Sequence, residues 1–354
     1  RESLLTKHSK DSNIGSIANL TISVYIYTCI YALIQFAFEK KSPPLTMYLK
    51  KWVVFESVPL IISYAKIFLL STFIYPITYF YYHSTVRAKY IWASFYSIYL
   101  IYFFVYTFKS CYHKSLSSLS VTILCMEGVR LTLKIHSFFR ENMRLSLIPD
   151  RPFAKFSQML YYFFAPTTIY RDNYPRKKKI KILKAMKYFV QFMSAFIASC
   201  IIYECYLIPR LIKVSQNPLS FKVLFFEVLS NCVPSTAFMI LMFFFYLHAF
   251  QNFFAEILRF GDRLFYTDWW NAKSYSEFYK TWNIVVQDWL RTYIFNDLRR
   301  ILPVSVRNAI SSIAVITLSS IVHEYIMFMI VGSFCPAITI SFGGFGGFLY
   351  LIHF

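Results

Sequence analysis

Apolar residues gather along the chain into runs long enough to cross about 30 Å of hydrocarbon, which takes roughly 20 helical residues. Such runs occupy 14–38, 91–108, 186–208, 223–250 and 309–331, and each predicts a transmembrane helix. The stretch 52–82 is equally apolar but carries Glu56, Pro59, Lys66 and Pro76, which predicts a kinked, tilted or split crossing. A further run opens near 336 and is unfinished at Phe354, and the chain opens at Arg1 without a Met. The expectation is therefore an all-α, polytopic membrane protein, read as a fragment truncated at both ends.

Two segments break this pattern. LSSLSVTILCMEG (116–128) is too short to span alone, yet it leads into VRLTLKIHSFF, whose charges recur mainly on one helix face. Without a crossing here, the basic loop 129–185 and the loop bearing Lys40, Lys41, Lys50 and Lys51 share the cytosolic side. With one, the latter loop moves to the lumen, and the distribution of Lys and Arg alone favours the first topology. Residues 251–308 are too polar to span and too apolar for a free linker, which predicts amphipathic helices on the membrane face. With only Gly261 and Pro303 as breakers, a disordered tether is not expected there.

Composition agrees with a bilayer. Hydrophobic residues make up 57% and charged residues only 15%, with 21% aromatic, and the mean hydropathy is +0.46. The net charge of +20 raises the question of nucleic acid, but the basic residues, such as Arg176, Lys177, Lys178, Lys179, Lys181 and Lys184, sit in short loops between apolar runs. That is the positive-inside pattern of a membrane protein, so no nucleic-acid partner is expected. The seven Cys show no CxxC pair and no spacing with His that would hold zinc, so no metal is expected, and with no Gly-rich phosphate loop no cofactor is expected either.

Within 309–331, the string SSIVHEYIMF places His323 and Glu324 deep in hydrocarbon, where ionisable groups are costly and face a cavity or a partner helix. Ser319 precedes His323 by one helical turn and shares its face, whereas Glu324 points about 100° away. A second dense site is FYTDWWNAKSYSEFYKTWN, 265–283. Asp262, Arg263, Asp268, Asn271, Lys280 and Asn283 interleave there with the aromatic rings, more polar groups than an interfacial belt requires. Two classes compete: an enzyme using His323, and a transporter in which His323, Glu324, Lys66 and Glu227 relay protons or ions. The Trp-rich stretch has no use in the latter, and no internal repeat is apparent.

FYTDWWN followed by TWN and HEY, together with KIHSFFREN, YYFFAPTTIYRDNYPR and LHAFQNFFAEILRFGDR, resembles the sterol O-acyltransferase branch of the membrane-bound O-acyltransferase family. The resemblance covers nearly the whole chain as a single domain, 1–354, with spans beyond Phe354. It implies His323 as catalytic base and Asn283 as its companion. Trp269, Trp270, Asn271, Lys280, Trp282 and Ser319 are then expected to line the substrates. His248, Asp262, Arg263 and Asp268 have supporting places. Charges at Asp262, Arg263, Lys280, Arg299, Arg300 and Arg307 are expected near CoA phosphates.

The implied partners are long-chain acyl-CoA as co-substrate, a sterol and the membrane lipids of the endoplasmic reticulum. A crossing within 116–139 would put the amino end in the cytosol, against the charge count. Two features depart from the family: Gln287 stands where it usually has His, and the family's C-terminal helices lie beyond Phe354. LRFGDR is equally at home in diacylglycerol acyltransferases, which keeps diacylglycerol as the rival acceptor. Gly343, Gly344, Gly346 and Gly347 permit close packing against a helix or a second subunit in a homo-oligomer.

Overall fold

The computed structural model describes residues 3, 5, 19–24, 26–27, 30, 57–112, 116–203, 207, 210, 220–332, 334, 336 and 339–346. Helices α1 (Ser57–Thr72), α2 (Ile74–His83), α3 (Val86–Cys111), α4 (Ser118–Leu145) and α5 (Phe156–Phe164) are followed by α6 (Ile182–Ile202) and α7 (Phe221–Met242). α7 runs into a π-helical segment, Phe243–Phe250, and then α8 (Gln251–Ile257). Short helices α9 (Tyr275–Thr281), α10 (Ile284–Leu290) and α11 (Asn296–Ile301) lead to α12 (Arg307–Val331) and a π-helical segment, Thr339–Gly346. Five helical stretches are long and apolar enough to cross a membrane, and no strand forms among the described residues, so the chain is an all-α, multi-pass membrane protein.

The five stretches are Ser57–His83, Val86–Cys111, Ile182–Ile202, Phe225–Ile257 and Arg307–Ile330, matching the runs expected at 52–82, 91–108, 186–208, 223–250 and 309–331. The crossing expected at 14–38 and the run 336–354 fall largely outside the described residues. Segment 116–139 lies in the 28-residue helix α4, which is long enough but more charged than the five. The break expected in 52–82 falls at Phe73. Pro76 has no N–H to offer the Thr72 carbonyl and its ring crowds that carbonyl, so one helix ends and another begins. Residues 251–257, the start of the region expected to form amphipathic helices, continue in helix from the preceding apolar run. The helix stops at Leu258, where Arg259 turns left-handed with φ 54°.

The chain packs as two compact units, Arg1–Val53 with Pro175–Asp268 and Val54–Tyr174 with Trp269–Phe354. In the first, small residues of α6, Ala195 and Ala198, admit Leu241 and the aromatic rings of Phe238, Phe244 and Phe245. In the second, α4 is a post against which α1, α2, α3 and α12 pack. Close approach of α3 depends on Gly128, where an added Cβ would collide with the Thr107 methyl. Gly343, expected at a helix or subunit contact, lies against α12 in the same chain, with Ser320 Oγ 2.7 Å from where a Cβ would be.

The carboxyl-terminal half of α4 is polar because it fastens other elements. Lys134, fully buried, donates to the carbonyls of Tyr162 (2.6 Å), Phe163 (3.0 Å) and Ala165 (2.7 Å), the orphan acceptors at the end of α5. Arg130 adds a bond to Phe163 O at 2.5 Å while holding Glu127 with two nitrogens. Replacing Lys134 by Met leaves the carbonyls of Tyr162 and Ala165 without a cationic donor, with Arg130 remaining on Phe163 O. The expected outcome is a loss of about 2–4 kcal/mol of stability, read as a lower thermal midpoint of the purified protein, since a charged hydrogen-bond donor contributes on that order. An unchanged midpoint would remove Lys134 from the frame.

Candidate active site

His323 lies about two-thirds of the way along the 25-residue helix α12, on its exposed side. Its Nδ1 is 2.7 Å from the carbonyl oxygen of Ser319, one turn earlier. A carbonyl only accepts, so Nδ1 carries the proton, and a neutral imidazole held this way has its lone pair on Nε2. Ser319, on the same helix face, thus touches His323 through its backbone carbonyl. Glu324 is buried and accepts from the N–H (2.9 Å) and hydroxyl (3.1 Å) of Thr339. The neighbouring acid therefore ties the segment Thr339–Gly346 to α12, and the two side chains serve different partners, as their angular separation predicts.

The stretch before α12 folds around indole rings. Trp269 is buried, 4.4 Å from the ring of Trp282, 5.6 Å from Trp270 and 5.9 Å from Phe278, all nearly perpendicular, the arrangement that aromatic quadrupoles favour. Ser274 caps α9 by accepting from Glu277 N–H at 3.2 Å. Asn271 and Lys280 are exposed on this element. Asn283 caps α10: its Oδ1 accepts from Val286 N–H at 3.2 Å, which leaves Nδ2 as the donor end of the amide. α12 packs on the π-helical turn Arg291–Phe295 and on α11, which follow α10 directly, so Asn283 and His323 are carried on elements joined by one packing layer.

The supporting residues belong to the other unit. His248, in the widened π-helical turn, is buried with Nδ1 2.6 Å from Tyr266 Oη. Its own carbonyl accepts from Asn252 Nδ2 at 2.8 Å, and its ring stacks on Phe244 at 5.1 Å. Burial pushes the Tyr266 phenol up, so it stays protonated there. Arg263 is corrected: it was expected near CoA phosphates, but its guanidinium is buried, 2.7 Å from the equally buried Glu256 and bonded to the carbonyls of Phe260 (2.9 Å) and Ala255 (3.2 Å). Its charge is neutralised inside the unit, out of reach of a ligand. Asp262 is half-buried and Asp268 exposed. No group of three or more metal-ligating side chains forms among the described residues.

Residues 52–345 match the sequence pattern described as MBOAT, membrane-bound O-acyltransferase family. The chain belongs to this family. It is similar to sterol O-acyltransferase 1 of Mus musculus, with 40% identity over 235 residues, 63% of this chain and 42% of that protein. Sterol O-acyltransferase 2 of Homo sapiens is 37% identical over 241 residues, 65% of this chain and 45% of that protein. The matches thus span less than half the length of these relatives.

This membrane-bound O-acyltransferase domain also holds a polar chain that the sequence reading missed. Tyr170 N–H donates to Ser137 Oγ at 2.8 Å, Ser137 Oγ lies 2.8 Å from Tyr293 Oη, and Tyr293 donates to Glu141 Oε1 at 2.9 Å. With the phenol proton on Glu141, the Ser137 hydroxyl must donate to Tyr293, so the chain runs in one direction. Trp289 Nε1 donates to Leu133 O at 2.9 Å and Arg140 pairs with Asp297 at 2.6 Å, fastening the segment from α10 to α11 along α4. The signal was present: Arg130, Lys134, Ser137 and Glu141 recur at three- and four-residue spacing on one face, across KIHSFFREN. A double-mutant cycle of Ser137→Ala and Tyr293→Phe should give a coupling of about 1 kcal/mol in thermal unfolding. Additive losses would mean that the two hydroxyls do not act as a pair.

Proposed function

We propose that the protein transfers a long-chain fatty acyl group from acyl-CoA to the 3-hydroxyl of a sterol, in the membrane of the endoplasmic reticulum. The observation that carries the chemistry is the Nδ1–H bond of His323 to Ser319 O, which presents Nε2 as proton acceptor on a membrane-length helix of this family. The choice of sterol rests on the similarity to sterol O-acyltransferases.

In this reading Nε2 of His323 takes the sterol hydroxyl proton as the oxygen attacks the thioester carbonyl carbon. The Asn283 Nδ2 amide donates to the carbonyl oxygen as negative charge develops there. The C–S bond then breaks, and the CoA thiolate takes the proton back from the imidazolium, leaving sterol ester and CoA. Trp269, Trp270 and Trp282 line the acyl-CoA path and exclude water from the thioester, with Asn271 and Lys280 at its polar rim. No metal or covalent enzyme intermediate enters this scheme.

In membranes containing the full-length protein, His323→Asn should lower acyl transfer by about a hundred- to ten-thousand-fold, the usual contribution of a general base, with the protein still folded. Asn283→Ala should also be severe and Gln287→Ala mild; a His323 variant keeping more than roughly a tenth of the parent rate would end the assignment. Labelled oleoyl-CoA should react roughly tenfold or more faster with cholesterol or a related sterol than with diacylglycerol. Equal or reversed rates would move the acceptor to diacylglycerol while leaving the His323 chemistry intact. Lys178, exposed in the basic segment, should be labelled as Lys178→Cys by an impermeant reagent from the cytosolic side of sealed vesicles. Labelling only from the lumen would reverse the side on which acyl-CoA arrives.

A further inference from the structure

A cavity of about 220 Å³ opens between the carboxyl-terminal part of α4 and the segment leading into α11, bordered by Arg140, Arg144, Tyr293, Asn296, Asp297 and Arg300. Three guanidiniums meet one carboxylate in this lining. Asp297 is divided between Arg140, 2.6 Å from Oδ2, and Arg300, 3.3 Å from Oδ1. Arg144, largely exposed, reaches Glu141 only at 3.5 Å, and the other oxygen of that carboxylate already accepts from Tyr293. Arg140 Nε is buried and has no hydrogen-bond partner among the described residues. Even with Glu141 included, three cations face two carboxylates.

The surroundings define the level of the pocket. Lys89 Nζ donates to Ser146 Oγ at 3.0 Å, bringing a fourth cation from the start of α3 to the end of α4. Around the same end of the bundle, Val86, Tyr90, Leu147, Ile301 and Val304 are each at least 74% exposed. Cations beside bare apolar side chains at the ends of membrane-length helices match the boundary where acyl chains give way to phosphates.

We propose that this pocket binds the phosphate of an anionic phospholipid from the adjoining leaflet, independently of acyl transfer. Arg144 and Arg300 offer planar donor pairs that match phosphate oxygens bidentately, and Asn296 adds a neutral donor. The cavity has room for a phosphate and part of its hydration. The lipid tails then lie along the exposed apolar collar.

The test uses full-length protein in phosphatidylcholine nanodiscs with spin-labelled phosphatidic acid or phosphatidylcholine, reading the motionally restricted, protein-bound fraction. Phosphatidic acid should associate about fivefold or more strongly than phosphatidylcholine, Arg144→Gln should remove about fivefold, and Arg144→Lys should retain most of the preference. Arg300→Gln is the second variant, and in both the thermal midpoint reports that the fold is intact. Rising salt should weaken the preference. Inorganic phosphate and CoA, added as competitors, should leave the lipid bound. Equal association of both lipids, or a preference untouched by both Gln variants, overturns the proposal; displacement by micromolar CoA assigns the pocket to the acyl donor and overturns it equally.

Discussion

The ammonium of Lys134, buried within a unit built of membrane-length helices, must have its donors satisfied by protein. It meets that demand at the end of α5, whose last carbonyls have no partners of their own within the helix. A nine-residue helix is too short to persist by its own hydrogen bonds, so α5 depends on this clasp as much as Lys134 does. Consequences run down the chain. Tyr162, at the clasp, donates to Thr168 O at 2.7 Å, and Thr168 donates to Val285 O at 2.5 Å. Val285 lies in α10, the helix that Asn283 caps, so the placing of the proposed carbonyl donor traces back to one charge on α4.

A second constraint lies in FYTDWWN. Its first half is buried in one unit, where Phe265 and Tyr266 are inaccessible and Tyr266 bonds His248. Its second half belongs to the other, where Trp269 anchors the indole cluster. The boundary between the units passes between Asp268 and Trp269. The density of aromatic residues in this motif therefore has a mechanical cause alongside any contact with substrate: one short peptide must supply a core residue to each of two packed bodies.

Along α12 the polar residues divide in the same way between structure and chemistry. Ser312, Ser320 and Glu324 recur at intervals of four and eight on a buried face, with Glu324 holding Thr339 and Ser320 receiving the close approach of Gly343. His323 lies off that face and satisfies its Nδ1–H on its own helix. A histidine that borrows a carbonyl from its own preceding turn has its ring orientation fixed in part by its own helix. This suits the role of base proposed for His323.

The lengths of the apolar runs were sufficient to place five membrane helices, and the prolines of 52–82 to mark that crossing for a kink, tilt or split, because crossing length and the missing proline N–H are local properties. The separation of His323 from Glu324 follows from helical geometry alone. Other features were invisible to it. That Arg263 neutralises Glu256 inside a core, and that Ser137, Tyr293 and Glu141 form one directed chain, depend on residues far apart in sequence. A charge in a sequence carries no mark of its partner: Arg263 and Arg144 look alike along the chain, and packing leaves one 1% and the other 60% exposed. The sequence by itself determined which segments enter the bilayer and which residue types are available to the chemistry, since those follow from composition and local spacing. Only the tertiary structure decided which charges are bound within the fold and which face outward, because desolvation and pairing act across space.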